Sequence, residues 1–201
     1  MVSAVLFDMN DVLFRYDRSL RAERLGLVCG KPASVVEAAL WGSGFEDEGD
    51  RGDMDADAYL RGCGGRLGYP LTMEEWAAAL RAAVTPIPES LALAASIAKR
   101  ARVAVLTNNN LLVKCAVDAV FPELRPIFGG DFFVSAEFRA RKPEPEAYLR
   151  CLDRLGVAPG TTLFVDDSAK NVAGAERAGL RGHLYRTSEA LKEALSAESL
   201  L

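Results

Sequence analysis

From residue 88 onwards, short apolar runs alternate with segments whose apolar residues recur at helical spacing. The runs have the length and the flanking turn residues of buried strands, and they cover 102–106, 131–134, 162–165 and 182–185. Helices are predicted between and after them over 89–100, 111–121, 143–155, 169–178 and 188–195. Strands that alternate with helices pair in parallel, because each helix carries the chain back to the start of the next strand. The pattern predicts an α/β fold, doubly wound around a mostly parallel sheet.

The N-terminal part of the chain divides into one strand and a helical segment. An apolar run over 2–7 predicts a further strand, which ends abruptly at Asp8. Helical spacing then prevails until two prolines stop it, with a polar loop expected over 41–57. We therefore predict a core formed by 1–14 and 87–201, with an all-helical cap, 15–86, inserted between its two parts.

Finer signals within that segment predict where its helices begin and which side they bury. Leu20 and Leu27 supply the expected apolar side of a helix over 19–28. Two pairs have the spacing of a capping box, in which a hydroxyl and a carboxylate three residues later satisfy the first backbone N–H groups of a helix. These pairs are Ser34 with Glu37, and Thr72 with Glu75.

Charge and composition narrow the class of partner and the compartment. The 201 residues carry a formal net charge of −4 without long charged runs, which argues against a nucleic-acid-binding protein with its basic face. No stretch has the length of a membrane span or the pattern of a signal peptide. The cysteines form no close pair, so we expect reduced thiols in a cytoplasmic protein. The four are Cys29, Cys63, Cys115 and Cys151.

Polar residues begin where the predicted strands end. In a parallel sheet these ends share one edge, so residues far apart in sequence can converge there. A loop residue just before Pro143 would reach the same edge. The converging residues are Asp8, Thr107, Asn108, Asp166 and Asp167 at strand ends, and Lys142 in the loop.

This set of residues predicts a phosphate site. Converging carboxylates repel one another unless a cation is present, and Mg²⁺ prefers oxygen ligands. Lys142, Thr107 and Asn108 could hold phosphate oxygens. Asp8 could then attack phosphorus and form an aspartyl-phosphate.

The order of these motifs resembles the haloacid dehalogenase-like hydrolase superfamily over essentially the whole chain. The matching pieces are Phe7-Asp8-Met9-Asn10-Asp11-Val12-Leu13, Leu106-Thr107-Asn108, Lys142-Pro143-Glu144-Pro145 and Phe164-Val165-Asp166-Asp167-Ser168. The helical insert resembles the small α-helical cap of the subgroup that includes sugar-phosphate phosphatases, and other stretches are similar to α-glucose-1-phosphate phosphatases. The resemblance implies a Rossmann-like core and a small phosphorylated substrate.

The resemblance also implies a role for each motif residue. Asp8 would be the nucleophile and an Mg²⁺ ligand, joined by the backbone carbonyl of Asn10 and by Asp166. Asp167 would act through metal-bound water or orient its loop. The phosphoryl group would be bound by Thr107 and Asn108, while Lys142 would offset the negative charge.

One departure from the family pattern lies at Asn10, where most of these phosphatases carry a general-acid aspartate. An amide cannot transfer a proton at neutral pH, and such assistance is worth roughly 10²–10⁴ in rate. The chain could be a slower or differently assisted phosphatase, or Asp11 could substitute. Asn10 could also be an engineered replacement, or mark a protein that binds phosphate esters without turnover. A metal-independent 2-haloacid dehalogenase, which also lacks this aspartate, is a further alternative.

Smaller features concern the substrate. Relatives often have a glycine near Arg139. The loop over 137–141 is basic here, and it could form a second contact with an anionic substrate. Arg15, Tyr16 and Asp17 are candidate substrate contacts at the start of the cap. Trp41 and Phe45 are expected in the cap core more often than against substrate.

Overall fold

The computed structural model describes residues 2–201, and its strands form two sheets. The strands of this part of the chain are β1 Ala4–Phe7, β2 Phe14–Tyr16, β3 Val84–Pro86, β4 Arg102–Thr107, β5 Phe132–Val134, β6 Thr162–Asp166 and β7 Arg181–Leu184. Five of them form a parallel sheet in the order β5-β4-β1-β6-β7. The α/β prediction is confirmed, because β1 is central and each neighbour on either side comes from a later part of the chain.

Helices precede or follow each of these strands. They are α1 Arg18–Cys29, α2 Ala33–Glu37, α3 Phe45–Asp50, α4 Ala56–Leu67, α5 Met73–Ala82, α6 Pro88–Ile97, α7 Leu111–Val120, α8 Arg125–Phe128, α9 Pro145–Leu155, α10 Ala169–Arg177 and α11 Ser188–Ala197. A π-helical turn spans Ala38–Gly42, and 3₁₀ turns span Ser135–Phe138 and Pro159–Thr161.

Helices cover both faces of the parallel sheet, so its central strands are buried on both sides. Alternate residues of β1 point to opposite faces: Val5 and Phe7 belong to one hydrophobic cluster, and Leu6 belongs to the other. The side chains of all three are at most 1% exposed. A strand buried on both faces has to be apolar throughout, and this is why a continuous apolar run predicts it.

The segment between β1 and α6 is helical, but it differs from the prediction at three places. The prediction that 15–86 is entirely helical is wrong at both ends, because β2 and β3 pair antiparallel there and form a short ribbon. The prediction of a polar loop over 41–57 is also wrong, because this segment contains α3 and part of the π-helical turn. Phe45 anchors this stretch by stacking on Tyr59 with ring centroids 5.1 Å apart. A single buried aromatic residue thus fixes a short helix within otherwise polar sequence.

Two predicted helix starts are corrected by the structure, and one is confirmed. In the capping box of α5, the Glu75 N–H donates to Thr72 Oγ1 at 3.2 Å and the Thr72 N–H donates to Glu75 Oε2 at 2.9 Å. Ser34 caps nothing, because α2 already begins at Ala33, directly after Pro32. The helix expected from residue 143 begins at Pro145, and this proline supplies the fixed φ of the first helical position.

The buried side of α1 is not the one that Leu20 and Leu27 predict. Leu27 is 76% exposed, whereas Arg21, Ala22 and Leu25 are buried. A charged residue therefore lies in the interior between α1 and its neighbours. Among residues 2–201, no helix combines the length and the apolar character needed to cross a membrane. All four cysteines are free thiols.

Candidate active site

Adjacent strands place two carboxylates side by side at the C-terminal edge of the parallel sheet. Phe7 of β1 is in register with Val165 of β6, so Asp8 and Asp166 follow at matching positions. The Asp8 N–H donates to the Val165 carbonyl at 2.8 Å and fixes this alignment. Asp167 follows directly, and the three side chains each offer an oxygen atom within 4.8 Å of the others. The convergence predicted from the strand ends is present.

Lys142 lies between Asp8 and Asp166. Its Nζ atom is 2.6 Å from Asp8 Oδ1 and 2.8 Å from Asp166 Oδ2, and the lysine is only 4% exposed. The Asn108 side chain holds the lysine backbone from β4, because its amide donates to the Lys142 carbonyl at 3.0 Å and accepts from the Lys142 N–H at 2.9 Å. One amide hydrogen of Asn108 remains for another acceptor. The structure thus makes Asn108 a support for the lysine loop, which the sequence did not indicate.

Asp166 is fully buried and its carboxylate is held from three directions. Oδ1 accepts from the Ser168 N–H at 2.8 Å, Oδ2 accepts from Lys142, and the Asn171 amide lies 3.1 Å from both oxygens. Asn171 is in turn fixed by the Tyr148 hydroxyl, which donates to its carbonyl at 2.7 Å. A carboxylate has about four acceptor positions, and these three donors make four contacts with them, so a bound cation would take the place of one contact.

The electrostatics of this cluster favour an additional positive charge. Burial raises the pKa of Asp8 to about 7; Lys142 opposes this rise and Asp166 adds to it. Burial and the charge of Asp166 also raise the pKa of Asp167. For Lys142, burial alone would lower the pKa, but the charges of Asp8 and Asp166 outweigh it and the pKa is raised. One lysine does not fully compensate three carboxylates.

The oxygen donors suit a hard divalent cation. Asp8, Asp166 and Asp167 bring carboxylate oxygens together without a nearby thiol or imidazole in their group. Oxygen-only donors of this kind are typical of Mg²⁺ and Ca²⁺ sites. The residues present therefore fit the metal that the sequence predicts at this edge.

Thr107 and the residues after it form a second hydrogen-bonded chain at the same edge. The Asn109 amide donates to Thr107 Oγ1 at 2.8 Å, and the Asn109 N–H donates to Ser135 Oγ at 3.1 Å. Ser135 Oγ donates to the Asp50 carbonyl at 2.7 Å. This chain ties the sheet edge to α3 of the helical insertion.

A cavity of about 140 Å³ lies between the sheet edge and the helical insertion. On the core side it is lined by Asn10, Asn108 and Asn109, with apolar residues around them. On the insertion side the polar and aromatic lining residues are Tyr16, Arg21, Trp41, Glu46, Asp47 and Asp50. Asn10 Oδ1 is buried and accepts no hydrogen bond from residues 2–201. The side chain of Asn10 therefore brings an unused acceptor to the cavity.

The remaining sequence candidates divide between this cavity and other places. Trp41 lines the cavity, whereas Phe45 is buried in the interior of the insertion. Tyr16 also lines the cavity, and Asp17 instead caps α1 by accepting from the Leu20 N–H at 2.9 Å. Asp11 is exposed with φ +57°, and its carboxylate accepts from the Tyr16 N–H at 3.4 Å. Asp11 therefore lies outside the cavity and is poorly placed to replace an acid at position 10.

The basic loop before Lys142 contacts protein carboxylates. Arg141 lies 2.7 Å from Asp47 and 3.7 Å from Asp50, so its charge is already paired with α3. Arg139 has φ +48°, in the left-handed region that favours glycine. The backbone thus accounts for the glycine that relatives often carry there.

Replacing Lys142 by methionine should destabilise the protein strongly. The change leaves Asp8 and Asp166 buried without their shared cation, and breaking a buried ion pair costs about 3–5 kcal/mol. Urea unfolding in EDTA measures the loss, and a divalent cation should recover part of it. Lys170, exposed on α10, is the matched control: Lys170→Met should cost less than about 0.5 kcal/mol. A loss below about 1 kcal/mol for Lys142→Met would contradict the electrostatic account.

Asp50 should make stability depend on pH. Burial and the charges of Glu46 and Asp47 raise its pKa from 3.8 to about 7, against the opposing charge of Arg141. Between these two pH values the folded protein keeps a proton that the unfolded chain releases, so the free energy of unfolding falls as pH rises. Asp50→Asn removes this dependence.

We expect Asp50→Asn to gain more than about 1 kcal/mol relative to wild type when the pH is raised from 4 to 8, since one pKa unit equals about 1.4 kcal/mol. Urea titrations at both pH values measure this gain. Asp53→Asn, at an exposed position nearby, is the control and should show no such change. Parallel pH curves for wild type and Asp50→Asn would show that Asp50 titrates normally.

Comparisons with known proteins agree with this arrangement of motifs. A family model described as haloacid dehalogenase-like hydrolase matches residues 2–179. Phosphatase MT3486 from Mycobacterium tuberculosis (strain CDC 1551 / Oshkosh) is 29% identical over 195 residues, which cover 93% of this chain and 88% of that protein.

Solved structures show the same fold. A predicted HAD-like family hydrolase from Porphyromonas gingivalis has a TM-score of 0.80 at 23% identity and covers 99% of this chain and 98% of its own. A HAD family enzyme from Bacteroides thetaiotaomicron, in complex with magnesium and inorganic phosphate, has a TM-score of 0.76 at 22% identity, with 92% and 95% covered.

Proposed function

The chain belongs to the haloacid dehalogenase-like hydrolase family, and we propose that it is a phosphatase that hydrolyses small phosphate monoesters with Mg²⁺, through a phosphorylated Asp8. One observation carries this proposal: Lys142 joins the Asp8 and Asp166 carboxylates, and Asp167 lies beside them at one edge of the sheet. A related structure with magnesium and inorganic phosphate gives the proposal further support.

The proposed roles follow from the contacts of each residue. Asp8 is the nucleophile, because it remains 7% exposed whereas Asp166, on the other side of Lys142, is fully buried. Lys142 favours the ionised form of Asp8 and attracts the phosphoryl oxygens. Thr107 and the spare amide hydrogen of Asn108 donate to those oxygens. In the first step Asp8 forms a bond to phosphorus while the bond to the ester oxygen breaks, and the departing alkoxide takes a proton from water. In the second step a water molecule attacks the same phosphorus and releases inorganic phosphate, which restores the Asp8 carboxylate.

Mg²⁺, when bound, would supply the positive charge that draws the phosphate dianion towards Asp8. Asp8, Asp166 and the backbone carbonyl of Asn10 are the proposed ligands, with Asp167 acting through water or orienting its loop. Asn171 and the Ser168 N–H hold Asp166 in place, so that the orientation of its carboxylate beside Asp8 is fixed.

The helical insertion is proposed to act as the cap that selects the substrate, with 15–86 as its predicted bounds. Its residues form one wall of the cavity beside Asn10. The alternatives are less well supported. A metal-independent 2-haloacid dehalogenase would still need Asp8 as its nucleophile, but it would not need the pair Asp166 and Asp167 to hold a metal ion. A protein that only binds phosphate esters would not need a nucleophile held beside a buried lysine.

The test is hydrolysis of p-nitrophenyl phosphate by the purified protein with Mg²⁺ and with EDTA. We expect turnover with Mg²⁺ and its loss with EDTA. Halide release from a 2-haloacid in EDTA, measured in parallel, would favour the dehalogenase instead. Tight binding of phosphate esters in calorimetry, without product over a broad panel, would favour the binding protein.

A further inference from the structure

We propose that the alcohol part of the substrate is a small uncharged polyol, and that Arg21 and Glu46 are the residues that select it. This inference rests on the proposed phosphatase function and concerns the insertion side of the same cavity. It is carried by buried polar atoms that the chain leaves unsatisfied, by the charge of the cavity wall, and by the cavity volume.

Arg21 is a buried cation held rigidly in the cavity wall. It is 4% exposed, and its guanidinium carbon lies 5.4 Å from the Trp41 ring and 5.1 Å from the Trp76 ring. One nitrogen, Nη1, donates to the Tyr16 hydroxyl at 3.4 Å and lies 3.6 Å from Glu46 Oε1. The two aromatic contacts fix the plane of the guanidinium group, so its remaining donors point in defined directions.

The polar atoms of this pair are incompletely satisfied. Arg21 Nε and Nη2 find no acceptor among residues 2–201, and Glu46 Oε1 likewise receives no hydrogen bond from the described chain. Unpaired buried polar atoms are costly, so they indicate a ligand that completes them. A hydroxyl group suits both residues, because it accepts from Arg21 and donates to Glu46. Neighbouring hydroxyls would satisfy both at once.

The charge of the cavity wall excludes acidic alcohols. Glu46, Asp47 and Asp50 line it, and Arg21 is the basic residue among its lining side chains. Arg141 pairs with Asp47 and Asp50 from outside the lining set. Three acids against two bases leave the wall negative at pH 8, the pH at which the esters are compared, because the pKa of Asp50 is about 7. A carboxylate or second phosphate on the substrate would meet this charge and be repelled.

The cavity volume limits the length of the polyol. It is about 140 Å³, close to the roughly 150 Å³ of an engineered cavity that binds benzene, a molecule of six carbon atoms. Glycerol also has six non-hydrogen atoms. A three- or four-carbon polyol therefore fits the space beside Asn10.

The experiment compares two esters of the same length that differ in charge, glycerol 3-phosphate and 3-phosphoglycerate. The measured quantity is the ratio of their kcat/KM values, with p-nitrophenyl phosphate as an independent report of turnover. We expect wild type to favour glycerol 3-phosphate by about 10²-fold or more. Glu46→Gln removes the charge but keeps the shape, and it should lower this ratio at least about tenfold.

Arg21→Met removes the donors and should lower kcat/KM for glycerol 3-phosphate more than for p-nitrophenyl phosphate. The matched controls are Arg24→Met on α1 and Glu48→Gln on α3, both exposed, and each should leave the ratio within about twofold. If Arg21→Met fails to fold, the ratio of kcat/KM values measured for Glu46→Gln is sufficient to test the polyol inference.

A wild-type ratio near one, or a ratio that Glu46→Gln leaves unchanged, overturns the polyol inference while p-nitrophenyl phosphate turnover preserves the phosphatase proposal. Absence of Mg²⁺-dependent turnover on all three esters overturns the phosphatase proposal itself, and the polyol inference with it.

Discussion

Asp8→Asn is expected to lower kcat for p-nitrophenyl phosphate by about 10⁴-fold or more. The amide cannot attack phosphorus, and loss of a nucleophile removes the covalent route altogether. The substitution keeps the size of the side chain, so the hydrogen bond from the Asp8 N–H to Val165 should persist. Steady-state assays with Mg²⁺, and a search for phosphorylated protein by mass spectrometry, measure the effect.

Stability separates this loss of chemistry from misfolding. Burial raises the pKa of Asp8 to about 7, so at pH 8 the wild type carries a carboxylate that its surroundings disfavour. Lys142 retains Asp166 at 2.8 Å in the variant. Asp8→Asn should therefore unfold in EDTA at a temperature no lower than wild type. Activity within tenfold of wild type would place the nucleophile elsewhere.

Asn10→Asp is expected to raise kcat by about 10²-fold or more. The amide of Asn10 cannot protonate a departing alcohol, and general acid–base assistance is worth roughly 10²–10⁴ in rate. The side chain already faces the cavity, and its buried oxygen is free of hydrogen bonds from residues 2–201. The new carboxyl group would thus meet the leaving oxygen without rearrangement. The new carboxyl group must be protonated to act as an acid, so kcat should also fall at pH values above its pKa.

The control for this gain is Asp11→Asn, one residue further on. Asp11 is exposed and has a positive φ, which asparagine tolerates, so kcat should stay within about threefold of wild type. If Asn10→Asp leaves kcat unchanged while Asp11→Asn abolishes it, the acid role belongs to Asp11. If both variants leave kcat unchanged, proton transfer does not limit turnover.

The site residues that sequence could locate are those at the ends of strands. Asp8 and Asp166 each follow a continuous apolar run, and parallel pairing leaves little freedom in where such residues meet. Lys142 could be located because it precedes a recognisable proline motif. Local pattern and topology together determine these positions, so the group of Asp8, Asp166 and Lys142 could be predicted before the structure.

The substrate side of the site was not accessible in this way. Arg21 lies on a helix where Leu20 and Leu27 predict another buried face. The two tryptophans, the Tyr16 hydroxyl and Glu46 stabilise its buried guanidinium group. Glu46 lies in a stretch too polar to suggest a helix. The positions of Arg21 and Glu46 depend on packing between elements distant in sequence, and the local spacing of apolar residues does not predict such packing. The two hydrogen bonds between the Asn108 side chain and the Lys142 backbone could not be predicted for the same reason.

The β2–β3 ribbon has a consequence for how substrate reaches Asp8. Both passages of the chain between sheet and insertion run through it, and further bonds from Asp17 to Ala83 and from Ile87 to Leu13 fasten its two ends. The two passages are therefore coupled, and the insertion cannot move at one of them without moving at the other. If the chain is the proposed phosphatase, admission of an ester and departure of its alcohol would depend on this one ribbon, which adjoins the cavity through Tyr16.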